Sequence, residues 1–212
     1  MIGEFYLKNI QFSAEHLISG IFTEREKLHY LHERLHEKEA IIEWRVLEIG
    51  REKHKKGLRP QPIGLSASAE IPLLLEERQE IANSINELKT IIEDRLFSAQ
   101  CLSGALLHLA KHGLSIVYGD PKNAPEGRMI GGIQIRDIII AGRNQYMHAG
   151  EGNPKKGTQA IMERLAEWKP DFFGNYRDTI KSYEIIMILG WTTRERFEND
   201  MLFLLNSTSP ES

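Results

Sequence analysis

Apolar residues fall at helical intervals along most of this chain, and two long stretches carry the clearest pattern. From about Ser13 to about Lys56, Ile21, Leu28, Leu35, Ile42 and Ile49 recur every seven positions. Leu17, Leu31 and Val46 lie three or four residues from members of that series. This spacing predicts a helix with a coiled-coil-like seam. The remaining positions, mostly Glu, Lys, Arg and His, make its solvated face. Lys56-Gly57 is a stop signal, and Arg59-Pro60-Gln61-Pro62-Ile63-Gly64 excludes regular helix through its prolines and glycine. Ser66 or Ser68 can cap a second helix, with Pro72 tolerated in its first turn. From Ile71 the series Leu74, Ile81, Ile85, Leu88, Ile92, Leu96, Ala99, Leu102, Leu106 steps mostly by three or four. The expected end is about His112, with Gly113 as the stop. Two long helices joined by a short Pro/Gly loop make an antiparallel hairpin whose arms, at about 1.5 Å per residue, reach on the order of 60 Å. The part near the loop is expected to project beyond the globular body.

Residues 119–132 are rich in Gly, Pro, Asp and Asn and predict a loop. A third helix is expected from Ile133 to about Met147, with Ile135, Ile138, Ile139 and Tyr146 on its core face. Three consecutive isoleucines also fit a strand, but no partner strand is visible elsewhere. After a turn at Gly150-Glu151-Gly152-Asn153-Pro154, helices are expected over about Thr158–Trp168, Tyr176–Leu189 and Thr193–Leu205. The fold class is therefore all-α: a helical bundle with a long antiparallel hairpin. Residues 1–90 form the hairpin and 91–212 a helical domain, continuous as one globular unit.

The apolar share of 41% supports a sizeable core and excludes a disordered chain. Net charge is −3, so any nucleic acid must be held by a local patch rather than a whole-molecule field. A single cysteine, Cys101, excludes an internal disulfide and a cysteine zinc cage; its neighbours predict an inert, buried thiol. The first ten residues carry Glu4 and Lys8 and no run of signal-peptide length, and Ile138–Ala141 is too short to span a bilayer. A cytoplasmic protein without a membrane partner is expected.

Candidate chemistry concentrates in Gly142-Arg143-Asn144-Gln145-Tyr146-Met147-His148-Ala149-Gly150. Arginine keeps its charge and forks onto phosphate oxygens, and histidine suits proton transfer near neutral pH. Asn144 stands four residues before His148, so on a helix the two share a face and the amide can fix the ring's tautomer. Phosphodiester cleavage requires a charge clamp, a proton shuttle and an orienting group. Five helical residues, however, turn through about 500°, leaving Arg143 and His148 roughly 140° apart. Either the helix ends between them, or a two-fold axis joins copies from two chains.

Arg-Asn followed by three residues and His, near the end of a helix in an all-α chain, resembles the RX4-6H motif of the HEPN superfamily. The lead-in Ile133-Gln134-Ile135-Arg136-Asp137-Ile138-Ile139 is similar to the helix before that motif. The resemblance covers about Ile92–Leu205, with the N-terminal helix and hairpin loop as an elaboration. It implies a HEPN-like fold and a homodimeric, metal-independent endoribonuclease with no cofactor, of the kind found among toxins and phage-defence effectors. Arg143 would stabilise the pentavalent phosphate, His148 would move a proton to or from the ribose 2′-OH or 5′-oxygen, and Asn144 would position His148. RNA is the implied substrate, and an antitoxin or regulatory protein the implied restraint. Lys155 and Lys156 are candidate backbone-phosphate contacts by proximity and charge. Some toxins of the superfamily carry a modifiable Tyr two residues after the His; here that position is Gly150.

Other features have structural explanations. His29, His32 and His36 fit zinc spacing but lie on a polar helix. His108 and His112 suit a helix C-terminus through the dipole. Lys53-His54-Lys55-Lys56 does the same, and Trp44, Trp168 and Trp191 are expected to pack. No phosphate loop, His-Glu-x-x-His or nucleophile elbow occurs, which removes the nucleoside triphosphatase, zinc protease and α/β-hydrolase classes. The rival to a nuclease is a non-catalytic helical scaffold that binds RNA or a protein partner.

Overall fold

The computed structural model describes residues 2–57, 66–148 and 156–206, with side chains except at 48–50, 52–57 and 66–75. The protein is all-α. Helices α1 (Ile2–Gly57) and α2 (Ser66–Tyr118) precede α3 (Ile135–Met147), α4 (Lys156–Trp168), α5 (Pro170–Phe173), α6 (Ser182–Leu189) and α7 (Arg194–Asn206). The proline-containing connection 59–64, the caps proposed at Ser66 and Ser68, Pro72 in the first turn, the Lys53–Lys56 cluster and the turn at 150–154 lie outside the described residues or side chains.

Two compact units emerge. One comprises Met1–Arg25 with Phe97–Ser212, the other Glu26–Leu96. The division thus falls elsewhere than at residue 90, because the first turns of α1 belong to the larger unit's core. Tyr6, Leu7, Ala14, Ile18 and Ile21 are buried there, so α1 begins at Ile2 rather than near Ser13. In the smaller unit, Arg45 pairs with Glu77 at 3.5 Å and Lys89 with Glu39 at 3.4 Å. Partners that rise along one helix fall along the other, so the two segments run antiparallel. Leu28 and Ile85 are its buried apolar side chains among the described residues.

Helix α2 does not stop at Gly113. It continues to Tyr118, with Leu114 fully buried. Gly113 serves packing instead: a Cβ there would sit 2.6 Å from the Tyr6 ring. Tyr6 donates from its hydroxyl to the Leu109 carbonyl at 2.7 Å, and burial pushes its pKa up to about 12. The helix ends at Gly119 (φ 72°), whose N–H bonds the Ser115 carbonyl at 2.9 Å.

The expected loop 119–132 contains more order than its composition announces. Asp120 caps a 3-10 turn at Pro121–Asn123. Strands β1 (Met129–Ile130) and β2 (Ile133–Gln134) pair antiparallel around Gly131-Gly132, with φ of 57° and 77°. A two-residue turn with both residues at positive φ favours glycine at both positions. Each strand is only two residues long, too short for alternation to register, so α3 starts at Ile135 rather than Ile133.

The C-terminal helices agree in type with expectation but not throughout in extent. α4 and α7 begin and end within a few residues of the predicted bounds. The helix expected over 176–189 is only Ser182–Leu189, because α5 and a turn segment occupy the stretch before it. Trp191, Phe173 and Phe197 are fully buried in the larger unit, Trp191 meeting Phe197 edge-to-face at 4.9 Å. Trp44, expected to pack, is 55% exposed; Trp168 is 41% exposed but lays its ring on Gly131, where a Cβ would meet it at 2.4 Å. Arg128 forks onto Asp200 with two 2.8 Å bonds, and Trp191 Nε1 donates to the same carboxylate at 2.8 Å. This ties the β1–β2 segment to α7. Among the described residues, no helix is long and apolar enough to cross a membrane.

Candidate functional site

The site is built where α3 crosses the second half of α2 inside the larger unit. Two glycines permit close approach. A Cβ on Gly104 would lie 2.4 Å from the Tyr146 ring, and one on Gly142 would lie 2.6 Å from Ile185 Cδ1. Ile135, Ile138, Ile139 and Ala141 turn inward on α3. That leaves Arg143, Asn144, Tyr146 and His148 at the partly exposed edge.

Gln145, between the candidate residues, is an anchor. Its Nε2 donates to the Tyr176 and Thr179 carbonyls at 3.0 and 2.7 Å, and its Oε1 accepts from the Lys181 N–H at 2.9 Å. One buried amide thereby satisfies three backbone groups of the segment before α6, and it fixes the rotation of α3.

Arg143 Nε donates to His108 Nδ1 at 3.4 Å, and its Nη1 to Asn144 Oδ1 at 3.5 Å. Lys111 Nζ donates to that same oxygen at 2.9 Å, while Asn144 Nδ2 donates to Thr158 Oγ1 at 3.4 Å. A guanidinium and an ammonium therefore converge on one neutral oxygen. Arg143's partners among the described residues are a ring nitrogen and an amide, not a carboxylate. Because guanidinium only donates, His108 Nδ1 holds the lone pair and Nε2 the proton. Loss of hydration lowers the His108 pKa from its ordinary value, with Arg143, His112 and Lys111 adding repulsion.

His148 is the residue that ends α3. Its backbone has left helical geometry (φ −111°, ψ 17°), and its N–H bonds the Asn144 carbonyl at 3.1 Å. The helix thus runs unbroken from Arg143 through Met147 and ends only at His148 itself. The Asn144 side chain faces Lys111, Arg143 and Thr158, so within one chain the amide is committed there rather than to the imidazole of His148. Lys156 is exposed at the start of α4; Lys155 lies outside the described residues.

Two cavities flank this cluster. One, of about 630 Å³, is lined by Lys111, Asp120, Lys122, Arg136, Asp137 and Asn144 among others. The other, of about 680 Å³, is lined by Phe12, His16, Leu17, His108, Tyr146 and Met147 among others. Arg143 hydrogen-bonds to one residue on the wall of each.

Sequence reasoning took His108 for a helix-end residue and passed over Lys111 and Thr158. His108 and His112 are not helix-end residues, since α2 runs on past them; their rings stack at 6.1 Å. The usable signal was the i, i+3 relation of His108 and Lys111, which puts both on one face. Cys101 is only partly buried and hydrogen-bonds the Tyr146 side chain, whose pKa is raised by burial, with the thiol adding to the rise. His29 pairs with Glu33 at 3.4 Å, His36 lies 3.9 Å from Glu39, and His32 bonds the Leu28 carbonyl. Among the described residues, no three His, Cys, Asp or Glu side chains converge as a metal would require. No family model, curated protein or solved structure matches the chain.

Proposed function

We propose that this protein is a metal-independent endoribonuclease that cleaves RNA by 2′-OH attack at an Arg143/His148 site completed by a second copy of the chain. The observation that carries the reading is the convergence of Arg143 and Lys111 on Asn144 beside a cavity, with only neutral acceptors on the guanidinium among the described residues. Such a cluster favours a phosphodiester, whose charge grows in the pentavalent transition state. His148, at the helix terminus, supplies or removes the proton, and Lys156 extends the cationic surface along the strand. The products would be a 2′,3′-cyclic phosphate and a 5′-hydroxyl. A toxin or phage-defence role, restrained by an antitoxin or regulatory protein in the cytoplasm, follows from the motif's resemblance to HEPN ribonucleases.

The test is cleavage of labelled RNA in excess chelator. Arg143→Ala and His148→Ala should each abolish cutting while helicity and subunit mass stay unchanged. Expression of the chain alone should slow growth, and His148→Ala should relieve this. The rival, a non-catalytic RNA- or partner-binding scaffold, draws on the commitment of Asn144 to Lys111 and Thr158. It requires that purified protein bind RNA and leave it intact.

A further inference from the structure

We infer that His108 is a second catalytic residue of this site, the base that takes the ribose 2′-hydroxyl proton while Arg143 holds the phosphate. The inference rests on the nuclease reading and deepens it. Arg143 and His148 diverge around α3, whereas Arg143 and His108 touch: Nε reaches Nδ1 at 3.4 Å across the α2–α3 contact. That bond is long enough to be exchanged for a hydroxyl, and it holds the basic nitrogen toward the group that binds phosphate. His108 is exposed, so a ligand can reach it.

Its surroundings fit a nucleotide. His108 lies on the wall of the 680 Å³ cleft, which Phe12 and His16, with ring centroids 4.0 Å apart, line together with Tyr146 and Met147. An apolar, ring-lined cleft next to a guanidinium suits a base on one side and its phosphate on the other. The charged and titratable groups facing or flanking the imidazole are Arg143 and Tyr146 from α3, His16 from α1, and Lys111 and His112 from its own helix. The cationic members favour the unprotonated ring, the form a base requires.

The step balances. His108 Nδ1 accepts the 2′-hydroxyl proton as the 2′-oxygen bonds phosphorus and the phosphorus–O5′ bond breaks. O5′ leaves with a proton from the His148 imidazolium; the His108 imidazolium then gives its proton to water and His148 takes one back from water, which restores both rings.

The test compares wild type, His108→Ala, His108→Gln and His148→Ala in chelator on two substrates. One is an RNA oligonucleotide, the other a uridine 3′-(4-nitrophenyl) phosphate, whose leaving group needs no acid. Loss of a positioned base costs about 10²–10⁴-fold. Both His108 variants should fall at least a hundredfold on both substrates with unchanged melting temperature, and His148→Ala should recover on the nitrophenyl ester. If wild type cuts RNA and the His108 variants cut within threefold of it, this inference fails and the nuclease reading stands. Recovery of the His108 variants on the ester makes His108 an acid and equally overturns it. A wild type inert toward both substrates overturns both readings together.

Discussion

At the scale of single residues, the motif around Arg143 mixes chemistry with architecture, and the two are separable by measurement. Gln145→Ala removes the partner of two carbonyls and one N–H in a buried place. Each group so stranded costs about 1–3 kcal/mol, partly relieved by entering water. The expected loss is about 3 kcal/mol in urea unfolding, so inactivity of that variant says nothing about catalysis. His108 answers differently. Its folded pKa is depressed, so below its ordinary value of about 6.5 the unfolded chain takes the proton first. Stability from this group is therefore flat above that value and falls as pH drops through it; His108→Gln should flatten the fall. Titration of the ring by NMR should show a depressed midpoint, rising in Arg143→Gln but not fully, because desolvation is the larger cause. An ordinary midpoint in the wild type would refute this account. At Lys156, exposed on the first turn of α4, alanine should weaken RNA binding at any sequence and reduce the salt slope by about one.

At the scale of elements, the fit of α3 against α2 decides whether Arg143 meets His108. Gly104→Ala forces a methyl into the Tyr146 ring, and overpacking of this kind costs about 1–3 kcal/mol. It should lower the melting temperature and draw the His108 midpoint toward its ordinary value, since the ring can relax only by moving α3 away. Gly119→Ala, where the backbone is left-handed and the space is open, should cost stability yet leave that midpoint unchanged. The contrast shows what could be read from the chain and what could not. The long helices declared themselves through apolar periodicity, and so did the type of α3, α4 and α7. Gly113 misled because a glycine can mark a helix end or a close approach, and only the distant Tyr6 decides between them. The pair β1–β2 and the turn segment before α6 were hidden because short elements are set by tertiary partners. Gln145 holds the second of these, from thirty-one or more positions away in sequence. In the site, Arg143, Asn144 and His148 were visible as a local motif. His108, Lys111 and Thr158 were not, since their part in it depends on contacts between helices.

At the scale of the molecule, the proposal requires two chains, and one mixing experiment can decide whether they share a site. With net charge −3, association is not aided by a strong field of either sign, so subunit mass should be measured at moderate salt. Arg143→Ala and His148→Ala chains, each inactive alone, are then unfolded together, refolded as a mixture and assayed. Random pairing makes half the dimers mixed. If Arg143 of one chain works with His148 of the other, each mixed dimer keeps one intact site of two, restoring roughly a quarter of wild-type cutting. If both residues act from the same chain, every site in every dimer lacks one of them and the mixture stays inactive. His108 extends the logic, because its contact with Arg143 lies within one chain. A His108→Ala/Arg143→Ala double variant mixed with His148→Ala should therefore restore the same quarter, both defects residing in the one dead site. His108→Ala mixed with Arg143→Ala should restore nothing. Recovery in that last mixture would separate the imidazole from the guanidinium it touches and assign the two to different chains' sites.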